Sequence, residues 1–150
     1  MGTFDALNIS ASGLTAQRLR MDVIAKNIAN ANTTRTENGL PYRRQVVVFE
    51  ENSRDLPFSE YLSGESRKLF PRLDGGVKVT AIKEDKSPYK VVYDPGHPDA
   101  DQDGYVRMPN VDVVTEMVNM ISATRAYEAN VTALNATKSM AMKALEIGRA

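Results

Sequence analysis

The chain lacks several of the side chains on which catalytic and metal sites are commonly built. Its 150 residues include no cysteine, no tryptophan and a single histidine. The absence of cysteine excludes disulfide bonds, a thiolate nucleophile and cysteine-ligated metal sites. The catalytic and nucleotide-binding motifs GxSxG, GxGxxG, HExxH and the P-loop are also absent from the sequence. We therefore expect no enzymatic activity and no cofactor.

Charge and hydropathy argue against two classes of partner. The 19 basic and 19 acidic side chains give a net charge of zero, so no electrostatic attraction favours nucleic acid or an anionic membrane. No apolar run approaches the roughly 20 residues that span a bilayer, and the first residues do not have the pattern of a secretory signal. We expect no nucleic-acid partner, no membrane insertion and a cytoplasmic location, unless a route without a cleaved signal exports the chain.

The prolines divide the chain into three segments. All seven lie between Pro41 and Pro109, and both ends have none. Because proline interrupts helices, the proline-free ends can form long helices. The sequence predicts an α+β fold in which an N-terminal helix (residues 1–35) and a C-terminal helix (residues 111–150) pair as a coiled-coil-like core. A small β-rich domain (residues 36–110) lies between them in the chain.

The N-terminal segment has a helical period over residues 3–31. Asn30 and Asn32 follow the periodic positions and supply a stop signal for the helix. The periodic positions alternate steps of four and three, the a/d spacing of a coiled coil. They are Leu7, Ala11, Leu14, Arg18, Met21, Ala25 and Ile28.

The C-terminal segment has no glycine or proline over residues 111–147, with Asn110 as the predicted N-cap and Gly148 at the end. It carries two apolar stripes, which is more than one partner helix can cover, so we expect the second to contact other subunits. A helix of about 37 residues is about 55 Å long, which predicts an elongated molecule. The first stripe is Met117, Met120, Thr124, Tyr127, Val131, Leu134, Lys138, Ala141 and Leu145, and the second is Val111, Val114, Val118 and Ile121.

The middle segment contains four stretches with the composition or alternation of β-strands. A long polar loop near residues 52–76, broken by proline and glycine, separates the first stretch from the second, and its role is open. The four predicted strands are 42–49, 77–82, 89–93 and 105–108.

An acidic turn in the middle segment matches the first half of a calcium-binding loop. Asp99, Asp101 and Asp103 occupy positions 1, 3 and 5, and Gly104 occupies position 6. Position 12 is Asn110 rather than the bidentate glutamate of that loop. A soluble Ca²⁺-responsive binding module is therefore one alternative function, and a structural acidic turn explains the same residues. An enzyme built around His97 is a weaker alternative, because no placed partner is evident.

Several motifs together resemble one family of structural proteins. Residues 27–33, NIANANT, end the first helical segment as the N-terminal signature of bacterial flagellar rod and hook proteins does. HPDAD and GYV at residues 97–106, PNV at 109–111 and RAYEANV at 125–131 are similar to the proximal-rod members of the flagellar basal-body rod family. A sister rod or hook-type axial protein is the nearest alternative.

The resemblance implies a structural subunit of the basal-body rod that self-assembles through its terminal helices into a torque-transmitting tubular driveshaft. It further implies other copies of the chain and other rod subunits as partners, and a location in the periplasm. Export would occur through the flagellar type III apparatus without a cleaved signal, and no catalytic residue or cofactor is implied.

The terminal helices carry the predicted assembly interface. Its apolar members are expected to pack helix against helix, within or between subunits, and its polar members to fix the register by hydrogen bonds. The apolar members are Leu7, Leu14, Met21, Ile28, Met117, Met120, Tyr127, Val131, Leu134 and Leu145, and the polar members are Asn27, Asn30, Asn32, Arg125 and Asn130.

Overall fold

The computed structural model describes residues 3–52 and 75–148, with side chains from Asp5 onward. Two long helices at the ends of the chain flank a small β region, which confirms the predicted α+β class. Most of the predicted loop near residues 52–76 lies outside the described residues. In chain order the elements are α1 (Thr3–Ala29), β1 (Gln45–Glu51), β2 (Val77–Glu84), β3 (Lys90–Tyr93), β4 (Tyr105–Met108) and α2 (Val113–Ile147).

The two helices pack against each other in antiparallel orientation. Asn27, near the end of α1, bonds to Glu116 in the first turns of α2. Farther along the pair, a Cβ added to Gly13 would lie 3.0 Å from the Asn130 side chain, so glycine permits a close approach of the two helices there. With 35 residues, α2 is about 52 Å long and makes the molecule elongated.

The most buried side of α1 is offset by two residues, about 200° around the helix, from the centre of the predicted seam. Ala16, Val23, Ile24 and Asn27 are the buried positions in its second half. The predicted seam residues Leu7, Leu14, Met21 and Ile28 are half-buried, and Ala11, Arg18 and Ala25 are exposed. Small side chains allow the closest approach of a helix to its neighbours, while longer ones pack along the flanks of the contact.

The stripe of α2 that faces α1 is partly the predicted one. Met120, Tyr127, Val131, Leu134 and Ala141 are half-buried, and Ala123 is fully buried between them. The remaining predicted positions, Met117, Thr124, Lys138 and Leu145, are exposed. Glu116 is also buried, although a charged residue is rarely found at such a position without a partner.

The start of α2 differs from the prediction. Asp112, not Asn110, is the N-cap, and its carboxylate accepts hydrogen bonds from the backbone N–H of Val114 and the hydroxyl of Thr115. Asn110 is engaged elsewhere, because its side-chain oxygen accepts the backbone N–H of Arg44. At the other end, Gly148 caps the helix as predicted and donates its N–H to the carbonyl of Ala144.

The described strands form two separate antiparallel pairs. β1 pairs with β2 through a register that shifts between Val48 and Phe49, and β3 pairs with β4 without interruption. β4 has its predicted bounds, whereas β1 begins at Gln45 rather than Tyr42. Residues 42–44 are taken up by contacts with the helical ends, and the N–H of Tyr42 donates to the carbonyl of Thr33.

The apolar core where α1 ends and α2 begins is small. Ala31, Tyr42 and Val111 form one buried cluster, drawn from three different segments of the chain. Because so little apolar surface is buried at this point, the hydrogen-bonded groups around the cluster contribute much of what holds the segments together.

Candidate assembly interface and polar junction

Asn27 lies at the centre of a buried group of polar side chains. It is 1% exposed and uses its complete hydrogen-bonding capacity. Its Nδ2 donates to the carbonyl of Gln45 and to Oε2 of Glu116, each at 2.8 Å. Its Oδ1 accepts from the hydroxyl of Tyr42 and the N–H of Gln45, each at 2.9 Å. Asn27 thus joins α1, the start of β1 and α2.

Glu116 is the buried charge of this group. It is 1% exposed, and its Oε1 accepts from Nε and Nη2 of Arg44 at 3.0 and 2.7 Å. Asn119 donates to the same oxygen at 3.2 Å, and Asn27 donates to the other. A buried carboxylate is tolerated only when it is paired and hydrogen-bonded in this way.

Arg44 connects this carboxylate to the segment after β2. Its Nη1 lies 3.4 Å from Oδ2 of Asp85, and its backbone carbonyl accepts the N–H of Asp85. Asn110 completes the connection, since its Nδ2 donates to the carbonyl of Asp85 at 3.0 Å. We refer to Asn27, Tyr42, Arg44, Asp85, Asn110 and Glu116 as the polar junction.

The ion pairs of the polar junction favour the ionised forms of Arg44 and Asp85. Partial burial works against the charge of Arg44, but hydrogen bonding to Glu116 and the charges of Glu116 and Asp85 raise the pKa of its guanidinium. Hydrogen bonds from the hydroxyl and N–H of Ser87, with a contribution from Arg44, lower the pKa of Asp85. Both residues therefore remain ionised at neutral pH, which holds β1 and the segment after β2 to the start of α2.

Tyr42 makes the junction sensitive to alkali. Burial and the nearby charges of Glu116 and Glu84 raise the pKa of its hydroxyl above the ordinary value of 10.0. A raised pKa in the folded state means that the contribution of the neutral hydroxyl to stability is complete below pH 10.0 and is lost as the pH rises through the folded-state value. We expect the free energy of unfolding, measured by urea titration, to fall above about pH 10, and less steeply in Tyr42→Phe. An equal decline in both proteins would contradict this role of Tyr42.

The predicted polar residues differ in what they contact. Asn27 belongs to the junction, and Asn30 bonds through Nδ2 to the carbonyl of Lys26 at the end of α1. Asn130 bonds to the carbonyl of Ala126 and lies against Gly13. Asn32 and Arg125 are exposed. The role of all five predicted polar residues in assembly remains a prediction.

One exposed surface of α2 is apolar. Val114, Met117, Val118 and Ile121 are 70%, 55%, 61% and 53% exposed, and their spacing places them on one side of the helix. We call these four residues the outer apolar face. It contains three members of the predicted second stripe, whereas the fourth, Val111, is buried. Exposed apolar surfaces of this kind are typical of sites that contact other proteins.

The acidic turn at residues 99–103 acts as a corner of the chain. Oδ2 of Asp99 accepts the hydroxyl of Thr34 at 2.7 Å, and the backbone of Asp101 pairs with that of Tyr105. His97 is part of the same turn, and its Nδ1 accepts the N–H of Asp99. Within residues 3–52 and 75–148, no group of three or more acidic or histidine side chains is arranged to hold a metal ion. The calcium-module alternative is not favoured.

Sequence reasoning missed Tyr42, Arg44 and Glu116. Residues 42–44 have the composition of a solvent-exposed strand edge, and Glu116 is flanked by residues of an exposed helix face. Glu116 lies one heptad before the buried Ala123, but neither residue belongs to a predicted apolar stripe, so no sequence pattern marks Glu116 as buried. In the structure, the guanidinium of Arg44 neutralises Glu116 and so permits its burial.

Two family models match regions near the two ends of the chain, and individual relatives match nearly its whole length. Residues 7–35 match the family model described as flagella basal body rod protein, and residues 102–147 match the one described as flagellar basal body rod FlgEFG protein C-terminal. The flagellar basal-body rod protein FlgC of Bacillus subtilis is 52% identical, with 99% of this chain and 100% of the relative covered. The proteins of that name from Borreliella burgdorferi and Escherichia coli O6:H1 are 49% and 44% identical, with at least 98% of both chains covered. In the part of the chain that the structure describes, no helix is long and apolar enough to cross a membrane.

Proposed function

Because the chain belongs to the FlgC family of flagellar basal-body rod proteins, we propose that it is a structural subunit that builds the rod by packing its terminal helices against neighbouring subunits. The observation that carries this function is the 52% identity to a FlgC protein over 99% of this chain and the whole of the relative. The two family models match the regions of α1 and α2, the elements that would form the shared core.

The outer apolar face supports a contact between subunits. Four neighbouring apolar side chains on α2 are more than half exposed, while the other side of the helix packs on α1. A contact between two different surfaces of like subunits can repeat into a tube or filament. Torque would then pass through closely packed helices, which resist compression.

The polar junction supports a fixed position of the β region on this core. Hydrogen bonds from Asn27 and Arg44 converge on Glu116 and join both helices to β1. We infer three functional parts: a core helix at residues 1–35, a small β-rich domain at 36–110 and a second core helix at 111–150. In this arrangement the β region would turn with the core rather than swing from it.

The basal body is the location that the family supports, and its finer details are proposals. We propose that the chain lies in the periplasmic part of the proximal rod and leaves the cell through the flagellar type III export apparatus without a cleaved signal. Its partners would be copies of itself, other rod subunits and that apparatus. The role is structural rather than enzymatic.

Substitution in the outer apolar face tests the assembly role. Ile121→Asp is expected to reduce incorporation into basal bodies by at least about tenfold, because a carboxylate would be buried in an apolar contact without a partner. Incorporation is measured by quantifying the protein in detergent-extracted basal bodies. Thr132→Asp, at an exposed polar position of the same helix, is the control and should incorporate normally. Equal incorporation of the two variants would argue against this surface as the contact.

A further inference from the structure

A cavity opens between α1, α2 and β1. It is separate from the outer apolar face. Its volume is about 250 Å³. Its apolar lining includes Val23, Ile24 and Val47, and its charged lining residues are Arg20, Arg44 and Glu116. A helix, about 10 Å across, is too wide for this space, whereas a few side chains fit.

Arg20 is the charged residue of this cavity that has no partner within residues 3–52 and 75–148. It is half-buried, and its position three and four residues before Val23 and Ile24 places it on the same side of α1. Among the ion pairs and hydrogen bonds of the described residues, none involves its guanidinium. A guanidinium that has lost part of its water without gaining an acceptor favours a carboxylate from elsewhere.

The acidic groups of the polar junction are already engaged. Both oxygens of Glu116 accept hydrogen bonds, and Arg44 donates two of them. Asp85 bonds to Ser87 through one oxygen and to Arg44 through the other. Because Arg44 neutralises Glu116, the charge of Arg20 has no counter-charge among the residues that the structure describes, and Val23 and Ile24 lie next to it.

We propose that this cavity receives an acidic side chain, flanked by apolar side chains, from a neighbouring rod subunit, and that Arg20 pairs with its carboxylate. The proposal rests on the proposed rod function and adds a second contact surface of defined chemistry to it. Charge complementarity selects the occupant, because the apolar walls favour burial and the unpaired guanidinium favours a carboxylate over a neutral group.

Crosslinking in assembled basal bodies tests the proposal. A small diazirine-bearing amino acid replaces Val47, which lines the cavity, and basal bodies are irradiated, extracted and digested for mass spectrometry. We expect crosslinks to a peptide of a neighbouring rod subunit that contains Asp or Glu beside apolar residues. In the Arg20→Gln background the yield should fall about tenfold, as expected for the loss of a partly buried charge pair, and Arg20→Lys should restore part of it.

Arg18 supplies the matched control. It lies on the same helix with the same charge but is exposed, about 200° around the helix from Arg20. Arg18→Gln should leave the crosslink yield unchanged. The absence of intersubunit crosslinks, crosslinks to a peptide without acidic residues or to a non-protein molecule, or an unchanged yield in Arg20→Gln would each overturn the proposal. Failure of the rod function itself is distinct, because the protein would then be missing from the extracted basal bodies.

Discussion

Replacing Glu116 by alanine is expected to lower the free energy of unfolding by about 3 kcal/mol, which is the cost of removing one partner from a buried charge pair. The carboxylate is 1% exposed and accepts hydrogen bonds from Arg44, Asn119 and Asn27. Without it, the Nε and Nη2 groups of Arg44 and one N–H of the Asn27 amide lose their acceptor in a poorly hydrated site. Urea denaturation followed by circular dichroism measures the change.

Glu146 provides the control for this experiment. It lies on the same helix and pairs with Lys143 at 2.8 Å, but both side chains are more than half exposed. Exposed ion pairs contribute little to stability, so Glu146→Ala should leave the denaturation midpoint nearly unchanged. A loss in Glu116→Ala no larger than in Glu146→Ala would show that the polar junction does not hold the fold together.

Asn27→Asp is expected to be about as destabilising at neutral pH, although it changes only one atom of the side chain. The new carboxylate would lie at hydrogen-bonding distance from Oε2 of Glu116, where Nδ2 of Asn27 now donates at 2.8 Å. Two carboxylates this close cannot both ionise without a large cost. The pair therefore retains one proton to a higher pH, and the apparent pKa for the loss of that proton is raised. The donor to the carbonyl of Gln45 is lost as well.

The pH dependence of Asn27→Asp distinguishes repulsion from a simple loss of packing. Because this pKa is raised in the folded state, the variant's loss of unfolding free energy relative to the parent protein is complete at pH values above that pKa. The loss becomes smaller as the pH falls through the pKa, because the two carboxylates then share a bound proton. We expect the difference from the parent protein to narrow between about pH 7 and about pH 4.5 in urea titrations. Asn32→Asp, at an exposed position nearby, should show no such narrowing. A deficit that is constant with pH would contradict the proximity of the two carboxylates.

The sequence was sufficient for the helices, because their signals are local. A proline-free run with helical periodicity and a glycine at its end predicted α2 close to its observed bounds, Val113–Ile147. The strand at Tyr105–Met108 was likewise predicted at its observed bounds, since the preceding glycine and the following proline limit it on both sides. These elements depend on neighbours within a few residues.

The polar junction could not be predicted because it joins distant parts of the chain. Asn27 and Glu116 are 89 positions apart, and Arg44 and Glu116 are 72 positions apart. Nothing local to Arg44 indicates that its charge is neutralised by a residue on a helix that begins far along the chain. The same limit explains the N-cap, because Asn110 is a suitable cap by composition but is engaged by the backbone of Arg44.

The phase of the α1 contact was displaced for a different reason. The a/d pattern selected the largest apolar side chains, such as Leu14 and Met21, as the centre of the seam. In the structure the centre is formed by small and polar residues, including Gly13, Ala16 and Asn27, which allow close approach or make hydrogen bonds. Hydrophobic periodicity therefore predicted the helix but not its most buried side.

Co-purification with the basal body tests the central claim most directly. The protein, carrying an epitope tag, is expressed in its own flagellated bacterium, and detergent-extracted basal bodies are separated from the cell lysate by density centrifugation. A structural rod subunit is expected to remain with the basal bodies through repeated purification, in a constant ratio to the other rod proteins. Recovery of the protein only outside the basal-body fraction of motile cells would contradict the account.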